Sequence, residues 1–355
     1  MTTKPTILIV TGGHHTSGLA VAQKLQSTVK IIWFGHRHSA WGDTSDSAEY
    51  QEVTKQNIQF FDIQAGKFHR TFHPLKLLRI PWGFIQSFFY IIYLSTQYKI
   101  IGILSFGGYI AVPVVITGWF MGIKSITYEQ TMVSGWANRL ISKFCSKIAV
   151  SWFQSQKYFP AKKTVFVGLP IREEILKHQT SNIKNQIYVT GGKQGSHIIN
   201  QTVFNSLPNL SKKYDVIHQT GSNTQYHDYD LALQQKSTNY LPLTYANALQ
   251  QTSYISESKV VISRSGAHIM AELLYFKKPC VLIPIPWGSH NEQTINAQFL
   301  VNQNLAVLLH QSELNPESLE QAISKALILK PKNYALNFLG LQNLTNLIVK
   351  EFHLA

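Results

Sequence analysis

Ile187-Tyr-Val-Thr-Gly-Gly-Lys-Gln-Gly-Ser196 is an apolar run that ends in a glycine-rich turn, with an amphipathic stretch following from His197. The pattern reads as strand, turn, helix. Glycines let the backbone approach a ligand closely, and the free N–H groups at a helix start face an anion. Lys193 adds a positive charge inside the turn. Taken singly, such a turn is also a plain strand-to-helix connection.

The design recurs. Val260-Val-Ile-Ser-Arg-Ser-Gly-Ala267 leads into a helix carrying Glu272 one to two turns in, where a carboxylate can accept two hydrogen bonds from a ribose diol. Glu272 alone is more often a solvated helix glutamate. Val281 to Ala297 carries an apolar strand into a polar cluster of Ser289, His290, Asn291, Glu292, Gln293 and Asn296, suited to sugar hydroxyls. His290 and Glu292 make a thin ligand set with no second histidine at helical spacing, so no metal is expected. His218-Gln-Thr-Gly221 ends a further strand. Ligands of parallel α/β sheets sit beyond the carboxyl ends of strands, where all these polar residues fall. Together they describe a nucleotide-sugar pocket in the second half.

Working outward, Ile7–Val10, Ile31–Phe34, Ile100–Leu104 and Ser125–Tyr128 read as strands of the first half. Ile187–Thr190, Val216–Gln219, Val260–Ser263 and Val281–Pro286 read as strands of the second. Helical patterns lie between, which implies α/β architecture with parallel sheets. The pattern restarts after the looser stretch Arg172–Asn185, predicting two Rossmann-like domains, residues 1–170 and 171–333. The amphipathic tail, about 334–355, can pack on either.

The first half has its own site signals. Thr11-Gly-Gly-His14 follows the first strand, and a histidine projecting there can take a proton from a hydroxyl near neutral pH. A capping or core histidine is the plainer alternative. Phe106-Gly-Gly-Tyr109 makes a second turn, and Tyr128-Glu-Gln130 offers Glu129 as an alternative base, its loop continuing through Gly135 and Asn138.

Hydrophobic residues make up 45% and charged ones 14% of the 355 residues, which excludes a disordered chain. Only Cys145 and Cys280 are present, which excludes a disulfide scaffold and points to a reducing compartment. The apolar run Ile7–Val10 is too short for a signal peptide. The 32 lysines and arginines against 18 aspartates and glutamates leave +14, which calls for an anionic partner. Lys67, His69, Arg70, His73, Lys76 and Arg79 precede the aromatic stretch Ile80–Leu94. That juxtaposition, about residues 67–94, suits an anionic membrane surface, and equally a core helix with a solvated flank. Residues 100–123 are uncharged, but the glycine turn and Pro113 make them a buried strand and a buried helix rather than a membrane span. Nucleic acid would match the charge, yet no nucleic-acid module is present.

As an ordered set, these motifs resemble the MurG family, the UDP-N-acetylglucosamine:lipid I N-acetylglucosaminyltransferases of peptidoglycan synthesis. The set runs from Thr11-Gly-Gly-His14 through Gly107-Gly-Tyr109, Glu129-Gln130, Gly168, Pro170 and Arg172, Gly191-Gly192 with Gln194-Gly195, His218-Gln-Thr-Gly221, Ser263 to Ala267 with Glu272, to Gln293 and Asn296-Ala297. The resemblance spans Ile7 to about Leu309. It implies a GT-B fold, two doubly wound domains facing across a cleft, with the last helix crossing back to the first. It implies an inverting transferase, free of metal and cofactor, peripheral to the cytoplasmic face of the plasma membrane. UDP-GlcNAc would be the donor and a lipid-linked muramyl peptide the acceptor.

By motif, Glu272 would hold the ribose, Gln293 the GlcNAc, and Arg172 would lie near the nucleotide. Gly192, Lys193, Gln194, Gly195, Ser265, Gly266 and Ala267 would surround the diphosphate and sugar, with Thr11, Gly12 and Gly13 reaching the donor from the first domain. His14, Gly107, Gly108, Tyr109, Gln130 and Asn138 would face the acceptor. His14, or less readily Glu129, would be the base. The chain departs from the family at Tyr128, where His is usual, and at Thr131, Leu169, Lys193 and Ile269. Rival expectations are another lipid-directed GT-B transferase acting on diacylglycerol, a UDP-GlcNAc 2-epimerase, and an inactive sugar-nucleotide-binding homologue.

Overall fold

The computed structural model describes residues 4–38, 45–66, 79–171, 173–178, 182–287, 291–334 and 336–354. Arg172, Ser289, His290 and the basic cluster from Lys67 to Lys76 lie outside them. The chain forms two units, Met1–Pro170 with Leu339–Ala355, and Ile171–Phe338.

The first unit holds seven strands: β1 Thr6–Thr11, β2 Lys30–Gly35, β3 Gln59–Asp62, β4 Lys99–Ser105, β5 Ser125–Glu129, β6 Lys147–Val150 and β7 Thr164–Phe166. Their order is β3-β2-β1-β4-β5-β6-β7, and all neighbours are parallel. Alternate residues of β1 enter different cores, Leu8 and Val10 on one face and Ile7 and Ile9 on the other. A strand covered on both faces needs no polar alternation, which is why it reads as one apolar run. The order reverses between β1 and β4, where Thr11 pairs with Ser105. Strand ends are level there, and the turns beyond them open side by side.

The uncharged stretch 100–123 supplies β4, the glycine turn and the helix Ala111–Phe120, as its composition predicts. Among the described residues no helix is long and apolar enough to cross a membrane. The helix Gly340–Phe352 returns to the first unit and buries Leu344, Ile348 and Phe352 in the core that holds Val10 and Leu25. Gly102 makes room for it: a Cβ there would lie 2.3 Å from the Phe352 ring.

The second unit has six parallel strands, β8 Gln186–Thr190, β9 Asp215–Gln219, β10 Tyr240–Leu243, β11 Val260–Ser263, β12 Cys280–Leu282 and β13 Ala306–Leu308. Their order is β10-β9-β8-β11-β12-β13, so the reversal falls between β8 and β11, with Thr190 beside Ser263. The strand expected over Val281–Pro286 stops at Leu282. Pro284 and Pro286 lack the N–H that a continuing ladder requires.

Candidate active site

At the reversal point of the second sheet, the turn after β8 is folded back on itself. Thr190 Oγ1 accepts from the Gly192 N–H at 3.0 Å, and the Gly195 N–H donates to the Gly192 carbonyl at 3.1 Å. Gly195 has φ +83° and presses on the turn after β9, so that a Cβ would fall 1.8 Å from the Thr220 carbonyl. Only glycine fits there. Buried Gln219 braces the same turn. Its amide donates to the Gly192 carbonyl at 2.9 Å, and its oxygen accepts from Tyr188 Oη at 3.0 Å and the Ala246 N–H at 3.1 Å. Lys193 and Gln194 stay exposed, with Lys193 Nζ 5.9 Å from the Tyr245 ring centroid.

Arg264, just past β11, is 9% exposed. Nη1 donates to the carbonyls of Ile283 at 3.0 Å and Pro284 at 3.3 Å. Nη2 donates to Ser196 Oγ at 2.7 Å and Gln311 Oε1 at 2.8 Å. These four acceptors are neutral. Burial lowers the guanidinium pKa to about 10, so the group is still cationic at neutral pH. It bonds Ser196, the residue before the helix His197–Lys213, and lies three positions before the helix Ala267–Tyr275. Helix N-termini carry partial positive charge, so this edge of the sheet favours an anion.

The remaining donor candidates are built into neighbouring elements. Glu272 is buried, and Gln251 Nε2 donates to its Oε2 at 2.7 Å. It is therefore not the solvated surface glutamate of the plainer reading. Ser265 is also buried: its hydroxyl donates to the Gln293 carbonyl at 2.7 Å, and Asn296 Nδ2 donates to the Ser265 carbonyl at 3.0 Å. Gln293 Oε1 accepts from the Ile285 N–H at 3.1 Å. Gly266 and Ala267 sit at the uncapped start of their helix.

In the first unit, the Phe106 N–H donates to the Thr11 carbonyl at 2.7 Å, and the Gly13 N–H to the Gly107 carbonyl at 2.9 Å. These bonds bring the turns after β1 and β4 together. A buried polar network underlies them. Ser105 Oγ accepts from the Gly107 N–H at 3.1 Å, Thr127 Oγ1 donates to Asn138 Oδ1 at 3.0 Å, and Asn138 Nδ2 donates to Glu129 Oε2 at 3.0 Å. Glu129 Oε1 accepts from the Thr131 N–H at 3.0 Å and its hydroxyl at 2.6 Å.

The site residues expected in this half therefore divide. Thr11, Glu129, Gln130 and Asn138 are enclosed and shape the turns from within, because loops distant in sequence close over them. Gly12 and Gly107 are buried as well; Gly13 and His14 are exposed, and Gly108 and Tyr109 are partly so. Surrounding protein lowers the His14 pKa to about 4, helped by the charge of His15. Because His14 keeps solvent access, water softens that push, and the direction is what counts: a neutral ring at pH 7. Tyr128 is a core residue, its ring 5.7 Å from Phe106 and its hydroxyl 2.6 Å from Ser151 Oγ.

Residues 7–150 match the glycosyltransferase family 28 N-terminal domain, and residues 186–337 match the family 28 C-terminal domain. The UDP-N-acetylglucosamine--N-acetylmuramyl-(pentapeptide) pyrophosphoryl-undecaprenol N-acetylglucosamine transferase 2 of Bacillus cereus is 31% identical over 317 residues, 86% of each chain. The chain belongs to glycosyltransferase family 28. A transferase of Clostridium kluyveri with the same name, lacking the final numeral, is 31% identical over 341 residues, 90% of each chain. The family's fold is seen directly in the crystal structure of Acinetobacter baumannii MurG, with TM-score 0.68 at 22% identity, covering 98% of this chain and 99% of that one. The UDP-GlcNAc 2-epimerase of Methanocaldococcus jannaschii has TM-score 0.63 at 11% identity, covering 97% and 99%. At such identities the likeness is one of fold alone, the GT-B architecture of two parallel-sheet α/β domains.

Gln219 and Arg264, which brace this edge of the sheet, stand inside the motifs His218–Gly221 and Ser263–Ala267, yet the sequence assigns neither a role. Both lie in segments notable for other reasons, and the one available signal was a lone arginine closing an apolar strand.

Proposed function

We propose that this chain transfers N-acetylglucosamine from UDP-GlcNAc to the C4 hydroxyl of undecaprenyl-pyrophosphoryl-MurNAc-peptide, with inversion and without a metal. The observation that carries the reading is the identity of about 30%, across both domains, to transferases named for that reaction. In this reading, exposed His14 takes the proton of the acceptor hydroxyl as that oxygen attacks the anomeric carbon, and UDP departs. Negative charge grows on the diphosphate. The Arg264 cation and the helix starts at His197 and Ala267 would meet it in fixed positions, so that no reorganisation is needed during reaction. Glu272, oriented by Gln251, would accept from the ribose, and Gln293 would hold the sugar. Glu129, engaged by three donors, orders the acceptor loop, and the base role falls to His14.

The acceptor is lipid-linked, and a face of the first unit suits contact with the cytoplasmic side of a membrane. The helix Arg79–Gln97 exposes Trp82, Ile85, Phe88, Phe89, Ile92 and Tyr93, and the helix Ala111–Phe120 that packs on it exposes Trp119 and Phe120. Aromatic side chains of this kind settle at the headgroup boundary.

The test is transfer of labelled GlcNAc to purified lipid I, with diacylglycerol as a second acceptor and with excess chelator. Lipid I is expected to be converted at an unchanged rate in chelator. Product on diacylglycerol alone, a soluble epimer, or bound UDP without transfer would each replace the reading with one of its rivals.

A further inference from the structure

Gln219 closes β9 and is 2% exposed. Its amide has three partners. Nε2 donates to the Gly192 carbonyl at 2.9 Å, and Oε1 accepts from Tyr188 Oη at 3.0 Å and from the Ala246 N–H at 3.1 Å. Gly192 and Ala246 admit one orientation of the amide. A carbonyl only accepts and a backbone N–H only donates, so a flipped amide would set like groups against both. A carboxylate has no donor for Gly192, methionine serves neither partner, and asparagine falls one carbon short.

The partners belong to the two ends of the proposed donor site. Gly192 lies in the turn read as meeting the diphosphate. That turn is gripped from β8 and from the turn after β9. Thr190 Oγ1 accepts from the Gly192 N–H, and the Ser222 N–H and hydroxyl donate to the Lys193 carbonyl at 3.0 and 3.1 Å. Gly192 itself is exposed, with φ +87° and nothing within 4 Å of a Cβ placed on it. Ala246 precedes Asn247, whose side chain caps the helix Ala248–Glu257 by accepting from the Gln250 N–H at 3.0 Å. One turn on, Gln251 donates to Glu272, the carboxylate read as holding the ribose. Tyr188 packs under the same helix, its ring centroid 5.5 Å from that of Tyr254.

An exposed turn has water to satisfy its carbonyls. A bond from a buried side chain supplies something water does not, a fixed position. Here the same amide also fixes the start of the helix that carries Gln251.

We propose that Gln219 is a positioning residue for the donor: it holds the turn at the diphosphate end in register with the helix that aims Glu272 at the ribose, so that one bound nucleotide meets both at once. Such prior alignment spares reorganisation when the ligand binds and reacts. The inference rests on the donor site proposed above.

The test is a ladder of ligands, uridine, UMP and UDP, bound to the full chain and followed by calorimetry, with steady-state kinetics on UDP-GlcNAc and lipid I beside it. In the parent, each phosphate adds affinity. In Gln219→Met, which keeps the length and removes donor and acceptor, the gain from uridine to UDP is expected to shrink about tenfold, with uridine itself within about threefold of the parent. Each end still adjusts to its own part of the ligand, but the two no longer fit together, and kcat falls with kcat/KM. Tyr188→Phe takes one bond from the same amide and leaves those to Gly192 and Ala246. It is expected to lower the melting temperature and leave the ladder as in the parent. Should methionine unfold the chain, Gln219→Glu carries the test in alkaline buffer. There the carboxylate keeps an acceptor for Ala246 and Tyr188 and presents no donor to Gly192, and the same shrinkage is expected. An equal loss for uridine and UDP, a lowered melting temperature with the ladder intact, or the same shrinkage in Tyr188→Phe would make Gln219 a structural tie and overturn the proposal. A parent that binds UDP no better than uridine would instead remove the donor reading itself.

Discussion

Arg264 Nη2 donates to the Ser196 hydroxyl at 2.7 Å, so one buried cation fastens the end of β11 to the turn after β8. Arg264→Met strips a donor from four acceptors but also removes the cost of burying a charge. The two effects oppose each other, and a stability loss of only about 1–2 kcal/mol is expected in denaturant titrations. UDP affinity, measured by calorimetry, is expected to fall about 10- to 100-fold. A variant that loses stability but binds UDP normally would mark the arginine as structural only.

Glu272 and Gln251 make a second assay of the proposed donor site. Glu272→Gln keeps the shape and discards the charge-assisted bond proposed to a ribose hydroxyl. The KM for UDP-GlcNAc is expected to rise about 10- to 100-fold with kcat little changed. Gln251→Ala, which frees the carboxylate to turn, is expected to move KM the same way by a smaller factor.

Acid stability follows from His218, fully buried between Asn200 Oδ1 at 3.0 Å and Tyr240 Oη at 2.9 Å. Asn200 spends its amide nitrogen on the Thr220 carbonyl and on Asp228. Its oxygen therefore accepts from Nε2–H, and Nδ1 accepts from the tyrosine. Burial lowers the ring's pKa to about 3 from 6.5. The unfolded chain takes up this proton as pH drops below 6.5, and the folded chain does not until about 3. Stability is therefore complete above pH 6.5 and lost on acidification through that window, with a slope approaching roughly 1.4 kcal/mol per pH unit. His218→Gln should flatten the slope by one proton in denaturant titrations run across that window.

Membrane contact is tested on the exposed helix face. Phe88→Ser with Phe89→Ser is expected to weaken binding to anionic vesicles by about tenfold or more, since each ring withdraws apolar surface from water on insertion. The melting temperature should hold, because both rings are exposed in the folded chain. Unchanged vesicle binding would move the contact elsewhere.

The central strands are legible in the sequence because burial on both faces turns them into uninterrupted apolar runs, as in Ile7–Val10 and Val260–Ser263. The outer strands are not. Gln59–Asp62, Tyr240–Leu243 and Ala306–Leu308 have three or four residues each and include polar residues, a proline or partly exposed positions. Nothing local separates them from loops. At the site, residue type and position after a strand single out Glu272, Ser265, Gln293 and His14. They do not reveal which side chains face outward. Gln130 is enclosed because Ser17, 113 positions away, closes on it, and Arg264 is enclosed by partners 19 to 68 positions away. Such closures depend on tertiary neighbours that periodicity does not encode.

The helix Gly340–Phe352 seats Phe352 over Gly102 and lodges Gly340 against the backbone of Gly168 and Leu169. Part of the first unit's interior is thus supplied by residues translated after the whole second unit. On the ribosome, that interior stays open until synthesis has passed residue 352, so a nascent chain halted at the end of the second unit would show an apolar groove to chaperones. Completion of the first unit's core is thereby tied to synthesis of the second.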